Sequence, residues 1–147
     1  MNMYFKKAEL EDFDAAFDYI VNLWTYNDYE KEPTREVYEK VIADDNCFAF
    51  FLMDDEGGYH GFCHGICFNT FWMTGMTCYV SGIITNKDER GKGNGIKLMD
   101  HAAKLAKERG CKALILDSAM SRTEAHRFYE KYGFDKGCYG FDLIFDE

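Results

Sequence analysis

The chain has 147 residues, 47% of them hydrophobic and 17% aromatic, which suits a single domain over residues 1–147 with a core of its own and excludes a disordered chain. No run approaches the ~18 apolar residues of a membrane span, and Met1-Asn2-Met3-Tyr4-Phe5-Lys6-Lys7 lacks the apolar stretch of a signal peptide, so the expected compartment is the cytoplasm, with no membrane partner. The net charge of −9, from 17 basic and 26 acidic residues, sets the surface against nucleic acid and suits a cationic small molecule.

Met3 to Ala8 has the character of a first strand. From Asp12, a capping residue, the positions Phe13, Ala16, Phe17, Ile20, Leu23 and Trp24 follow helical spacing. Thr25 to Pro33 breaks that spacing and reads as a loop. A second helix is predicted from Thr34, with Val37, Tyr38, Val41 and Ile42 inward. The period then changes. Cys47 to Met53 and Tyr59 to Phe68 are strand-length apolar runs joined by Asp54-Asp55-Glu56-Gly57-Gly58, a hairpin pattern. Met76 to Thr85 is a third run with Gly82 inside it, where a bulge or a close backbone approach is expected. A helix follows from about Asn94 to Arg109, with Ile96, Met99, Ala102, Ala103 and Ala106 on its apolar face and Gly110 closing it. Cys111 to Asp117 reads as a strand. Ser121-Arg-Thr-Glu124 reads as a capping box opening a short helix that ends at Gly133. Phe134 to Phe145 reads as one or two final strands. The order predicts an α/β sandwich around a mixed sheet.

The cysteines at 47, 63, 67, 78, 111 and 138 form no CxxC pair, so reduced and partly buried thiols are expected, with no metal site.

The chemistry is concentrated in Arg90-Gly91-Lys92-Gly93-Asn94-Gly95, placed between a strand and a helix. Glycines let backbone N–H groups approach an anion because no Cβ intervenes, and the helix start adds unsatisfied amides and the positive end of its dipole. Arg90 and Lys92 add local positive charge to an acidic chain. These features specify a phosphate or pyrophosphate cradle. A P-loop would end in Gly-Lys-Ser/Thr, which Gly95-Ile96-Lys97 does not supply, and the third glycine of a dinucleotide fingerprint is replaced by Ile96.

Further on stands Ala125-His-Arg-Phe128-Tyr129-Glu-Lys-Tyr-Gly133-Phe134. The loop and this segment, in this order, resemble the GCN5-related N-acetyltransferase (GNAT) superfamily: Arg-x-x-Gly-x-Gly and Phe-Tyr-x-x-x-Gly-Phe match its two signatures. The resemblance implies a twisted, mostly antiparallel sheet splayed at a bulged central strand, and acetyl-CoA as co-substrate. Ile83, Ile84 and Thr85 would run beside the pantetheine arm. The amides of Gly91, Lys92, Gly93, Asn94, Gly95 and Ile96, with Arg90, would surround the pyrophosphate. Arg122 and Ala125 would lie near the cofactor, with Arg122 where many relatives have asparagine. Homodimers enter by analogy with the family alone.

The implied reaction is direct attack of a primary amine on the thioester. An alkylammonium of pKa ~10.4 must first lose a proton, a developing oxyanion needs a fixed donor such as a strand N–H near Ile84, and the departing thiolate gains from a positioned acid. Tyr129 matches the family's tyrosine in that role. Many relatives carry a carboxylate on the strand before the loop, but Cys78-Tyr79-Val80-Ser81-Gly82 has none, so no base is assigned; Tyr79, Ser81 and His64 remain open. Acceptor recognition is expected in Trp24 to Glu30, where Tyr29 and Glu30 resemble the diamine and polyamine branch and suit a cation. The reading is an N-acetyltransferase acting on a small-molecule amine of polyamine, aminoglycoside or amino-acid type. The alternatives are a protein lysine or N-terminal acetyltransferase and a non-catalytic acyl-CoA-binding module.

Overall fold

The computed structural model describes residues 2–146. They form two compact units, one running to Ile115 and one beginning at Leu116.

The first unit is built on a five-stranded sheet of β1 (Met3–Lys7), β2 (Cys47–Asp54), β3 (Tyr59–Thr70), β4 (Gly75–Thr85) and β5 (Leu114–Ile115), in that spatial order. The first four pair antiparallel, while β5 lies parallel to β4. The connections dictate this. Short turns return the chain antiparallel, whereas α3 (Asn94–Glu108) provides the crossover that a parallel neighbour needs.

Helices cover both faces of this sheet. A side chain at Gly61 would sit 2.8 Å from Leu98 of α3, while its neighbour Phe62 turns to the other face and stacks on Tyr19 of α1 (Phe13–Leu23). On that second face Ala8, Phe13, Ala16, Tyr38, Phe51 and Met53 close one apolar cluster with α2 (Lys31–Ala43). On the α3 face His101 stacks on Phe5 at 4.0 Å and meets Phe50 edge-on. Strand β2 is therefore buried from Phe48 to Asp54, which explains its unbroken apolar run. Each fully buried side chain such as Phe51 or Leu52 contributes about 1.5–3 kcal/mol of transfer free energy.

Asp12 stands at the N-cap of α1 but makes no side-chain capping bond to it. Its carboxylate accepts from Lys6 Nζ, from the Tyr59 hydroxyl at 2.7 Å and from the Glu9 backbone N–H at 3.0 Å, tying β1, β3 and the start of α1 together. Burial pushes its pKa up, but Lys6, Tyr59 and the amide outweigh this and hold it below the usual value.

Several boundaries differ from those predicted. Helix α2 begins at Lys31, not Thr34, because Pro33 falls in its first turn, where a missing N–H leaves no bond unmade. Val37 and Ile96, expected inward, are exposed at 59% and 49%; Leu98 takes the inward position in α3. The strand predicted over Cys111 to Asp117 narrows to Leu114–Ile115, since β5 pairs with β4 only at Cys78↔Leu114 and Tyr79↔Ile115.

In the second unit, α4 spans Thr123–Tyr132 and stops at Gly133, whose φ of +130° favours glycine. Arg122, not Ser121, is its N-cap and makes no side-chain capping bond, so the predicted capping box does not form. The final strands predicted between Phe134 and Phe145 are absent as well. Among its described residues this unit contains no strand to complete a ladder, and Tyr139, Phe141, Leu143, Ile144 and Phe145 are exposed.

All six cysteines are free thiols, and Cys63, Cys67 and Cys78 are buried. Among the described residues no helix is long and apolar enough to cross a membrane.

Candidate functional site

Strand β4 ends at Thr85, a single 3-10 turn spans Lys87–Glu89, and the loop Arg90–Gly93 leads into α3. Gly91 and Gly93 have φ of +85° and +83°, the left-handed region that L side chains avoid, and Gly93 is the N-cap of α3. A Cβ built on either would have nothing within 4 Å, so the space over the loop is open. The helical bonding of α3 begins with Lys97 N–H donating to the Gly93 carbonyl at 3.2 Å, so the amides before it have no helical acceptor. The result is an open run of amides at a helix start, an arrangement that can accept an anion. Arg90, Lys92 and Ile96 are exposed around it, while Asn94 is buried beneath.

The strand leading to the cradle is bulged. His64 pairs with Gly82 but Gly65 pairs with Val80, so Ser81 is the extra residue, one place before the glycine where the sequence predicts a bulge. Beyond Tyr79 the far edge of β4 has no β5 partner, so Ile83, Ile84 and Thr85 lie on a stretch paired with β3 alone. Gly82 is small for a packing reason: a Cβ there would lie 3.0 Å from Leu23 and 3.1 Å from the Trp24 ring. That contact sets the end of α1 against the bulge, so the start of the Trp24–Glu30 segment adjoins the cradle's strand. Within the segment, Asn27 Nδ2 donates to the Tyr29 hydroxyl at 3.2 Å. Glu30 is the N-cap of α2 and its exposed carboxylate makes no capping bond.

His64, directly opposite Gly82, lies on the same face as Leu23 and Trp24 because cross-strand partners share a face. Its Nε2 is buried and finds no hydrogen-bond partner among the described residues. Burial lowers its pKa, so the ring is a neutral imidazole at pH 7.

The residues flanking the cradle are tightly held. His60 Nδ1 meets Glu89 Oε1 and His60 Nε2 meets Asp54 Oδ2, both at 2.6 Å. Asn86 donates to Glu89 at 2.9 Å and to the Tyr59 carbonyl at 2.8 Å, and accepts from the Tyr19 hydroxyl at 2.6 Å. The sequence reading passes over this network. Asp54 looks like a turn residue and Glu89 like surface charge, and nothing in their spacing reveals that the hairpin brings them to one imidazole.

In the second unit, Arg122 and Ala125 stand at and just inside the start of α4. Tyr129 is buried, with its ring edge-on to Phe128 and Phe134 at 5.6 and 6.0 Å.

The Acetyltransferase (GNAT) family profile matches residues 11–134, spanning β4, the cradle and the helix that carries Tyr129. The chain belongs to the GNAT acetyltransferase family. Its sequence is 35% identical over 68 residues to the uncharacterized N-acetyltransferase YhdJ of Bacillus subtilis (strain 168), a match covering 46% of this chain and 48% of that relative, so it spans about half the relative's length. A Bacillus halodurans C-125 structure described as a transcriptional regulator superposes with a TM-score of 0.87 at 23% identity, over 98% of this chain and all of that one. AAC(6')-Iy, solved with the bisubstrate analog CoA-S-monomethyl-acetylneamine, gives a TM-score of 0.82 at 14% identity, over 99% of both chains. Both superpositions establish a common α/β fold.

As a GNAT family member this chain is an N-acetyltransferase, and the family implies acetyl-CoA as donor. It lacks a carboxylate between Cys78 and Gly82; Ser81 is the bulged residue and His64 pairs with Gly82 beside it.

Proposed function

We propose that this acetyltransferase moves the acetyl group of acetyl-CoA to a primary amine of a small molecule by direct attack, as one domain over the whole chain. The observation that carries the reading is the open glycine cradle placed directly after a bulged strand whose far edge is unpaired.

Gly91 to Ile96 would bind the pyrophosphate through backbone N–H groups, with Arg90 and Lys92 neutralising its charge. Ile83, Ile84 and Thr85 would offer main-chain hydrogen bonds to the pantetheine amides along the free edge of β4. Arg122 and Ala125 are assigned to the same cofactor. Bound acetyl-CoA supplies an activated thioester carbonyl. Tyr129 is assigned the acid role, its hydroxyl giving a proton to the departing sulfur, whose thiol pKa is ~8.5. His64, neutral and across from Gly82, is the group suited to take the ammonium proton at Nε2, directly or through water.

Tyr29 and Glu30 are assigned to the acceptor, an aromatic face and a carboxylate suited to an alkylammonium. The acceptor is proposed to be of polyamine, aminoglycoside or amino-acid type. Free thiols at all six cysteines fit a reducing, cytoplasmic setting.

The test is thiol release from acetyl-CoA with polyamines, aminoglycosides, amino acids and lysine peptides in parallel. Turnover with a small amine is the expected result. Turnover with peptides alone would move the acceptor to protein, and binding of acetyl-CoA without turnover on any amine would favour a non-catalytic module. If acetyl-CoA does not bind, the reading is wrong.

A further inference from the structure

Both ring nitrogens of His60 face a carboxylate oxygen at 2.6 Å, Asp54 on one side and Glu89 on the other. A neutral imidazole has one N–H and could serve only one of them; an imidazolium donates to both. Asp54 is fixed by more than His60. Its Oδ1 also accepts the Glu56 and Gly58 backbone amides at 2.8 and 2.9 Å, anchoring it in the β2–β3 turn. Glu89 is the last residue before Arg90. Its carboxylate takes His60 and Asn86 on the strand side and reaches Asn94 Nδ2, at the first position of α3, at 3.4 Å. The two ends of the cradle therefore meet on one carboxylate, and that carboxylate is held to the sheet by His60.

We propose that His60 is a positioning residue for the pyrophosphate loop, fixing the entry to Arg90 and the start of α3 through Glu89. The proposal rests on the reading of that loop as the acetyl-CoA site. The charged groups facing the ring are Asp54 from the hairpin turn and Glu89 from the 3-10 turn; Lys92, in the loop, acts on Glu89. The hydrogen bond that His60 donates to Asp54, and then the contribution of Glu89, raise the His60 pKa against the opposing effect of burial. The clamp is thus complete below the ordinary histidine value of ~6.5 and is lost as pH rises through the raised one. When the proton leaves, one carboxylate faces a nitrogen lone pair. Asp54 keeps its two backbone donors, so Glu89 is the side that moves.

KM for acetyl-CoA and kcat are measured from pH 6 to 9.5 in the wild type, H60Q and E89Q, with amide hydrogen exchange over residues 90–96 and the His60 ring proton followed by NMR. The wild type is expected to lose acetyl-CoA affinity about tenfold as His60 deprotonates, the effect of one charge-assisted hydrogen bond, with a smaller change in kcat. In H60Q this dependence disappears, KM stays at the high-pH wild-type value throughout, and the loop amides exchange faster. In E89Q the His60 titration falls toward ~6.5. The 3′-phosphate of acetyl-CoA titrates equally in all three proteins, so only the difference between them counts. A wild-type pH profile in H60Q, or an unshifted His60 titration with both carboxylates intact, would overturn the proposal. If no variant binds acetyl-CoA, the functional reading fails, while the ring titration and loop exchange still decide the clamp.

Discussion

Gly93 and Gly110 stand at opposite ends of the same helix with nearly equal backbone angles, φ +83° and +82°, and a Cβ on either would touch nothing within 4 Å. Alanine at each position therefore introduces the same left-handed strain, about 1–2 kcal/mol, with no added clash. For a chain of this size that lowers the melting temperature by about 2–4 °C per kcal/mol. Both variants should melt lower by similar amounts. Only at Gly93 does the new methyl enter the anion cradle, where it would displace a phosphate oxygen and weaken one charge-assisted bond worth about 1.5–3 kcal/mol. That corresponds to a rise of roughly 10- to 100-fold in the acetyl-CoA dissociation constant. Calorimetric titration of acetyl-CoA against G93A, G110A and wild type, beside thermal melts, separates strain from cradle. Equal affinity in G93A and G110A would refute the assignment of the loop.

Tyr129→Phe should lower kcat by at least about 10²-fold, the contribution of one positioned acid, while KM for acetyl-CoA changes little; steady-state kinetics with an unchanged kcat would remove Tyr129 from the acid role. His64→Gln should erase the acid limb of the kcat/KM profile, because the imidazole pKa is lowered by burial and activity should fall only as pH drops through that lowered value. An identical limb in the variant would exclude His64 as base. Asp54 has its pKa depressed to about 2, first by the His60 hydrogen bond and then by the Gly58 and Glu56 amides. Against an unfolded value of ~3.9, its stabilisation is present above pH ~4 and is lost as pH falls through the folded value. Thermal melts between pH 5 and 2 should therefore decline more steeply in wild type than in Asp54→Asn, and parallel curves would contradict the assignment.

The elements of the first unit were legible where local periodicity and burial agree. Phe13, Ala16 and Tyr38 pack inward as helical spacing requires, and β2 reads as one apolar run because both its faces are covered. Boundaries failed where a local rule had more than one outcome: Pro33 breaks a helix interior yet fits a first turn, and Ser121 could cap but does not. Phe134 to Phe145 reads as strand by composition, but a strand forms only with a partner, and among the described residues of its unit it has none.

By itself the sequence made the glycine loop legible, since glycines between a strand and a helix allow the positive φ that Gly91 and Gly93 adopt and leave the amides at that helix start open. Only the tertiary structure decided what holds the cradle and what faces it. Asp54 and His60 face each other across the β2–β3 turn, and Glu89, 29 residues beyond His60, joins them because the end of β4 runs beside that hairpin. His64 Nε2 has no hydrogen-bond partner among the described residues, and burial lowers the pKa of the ring. A local conformational preference is written in adjacent residues; the protonation state of a side chain is set by whatever the fold brings beside it.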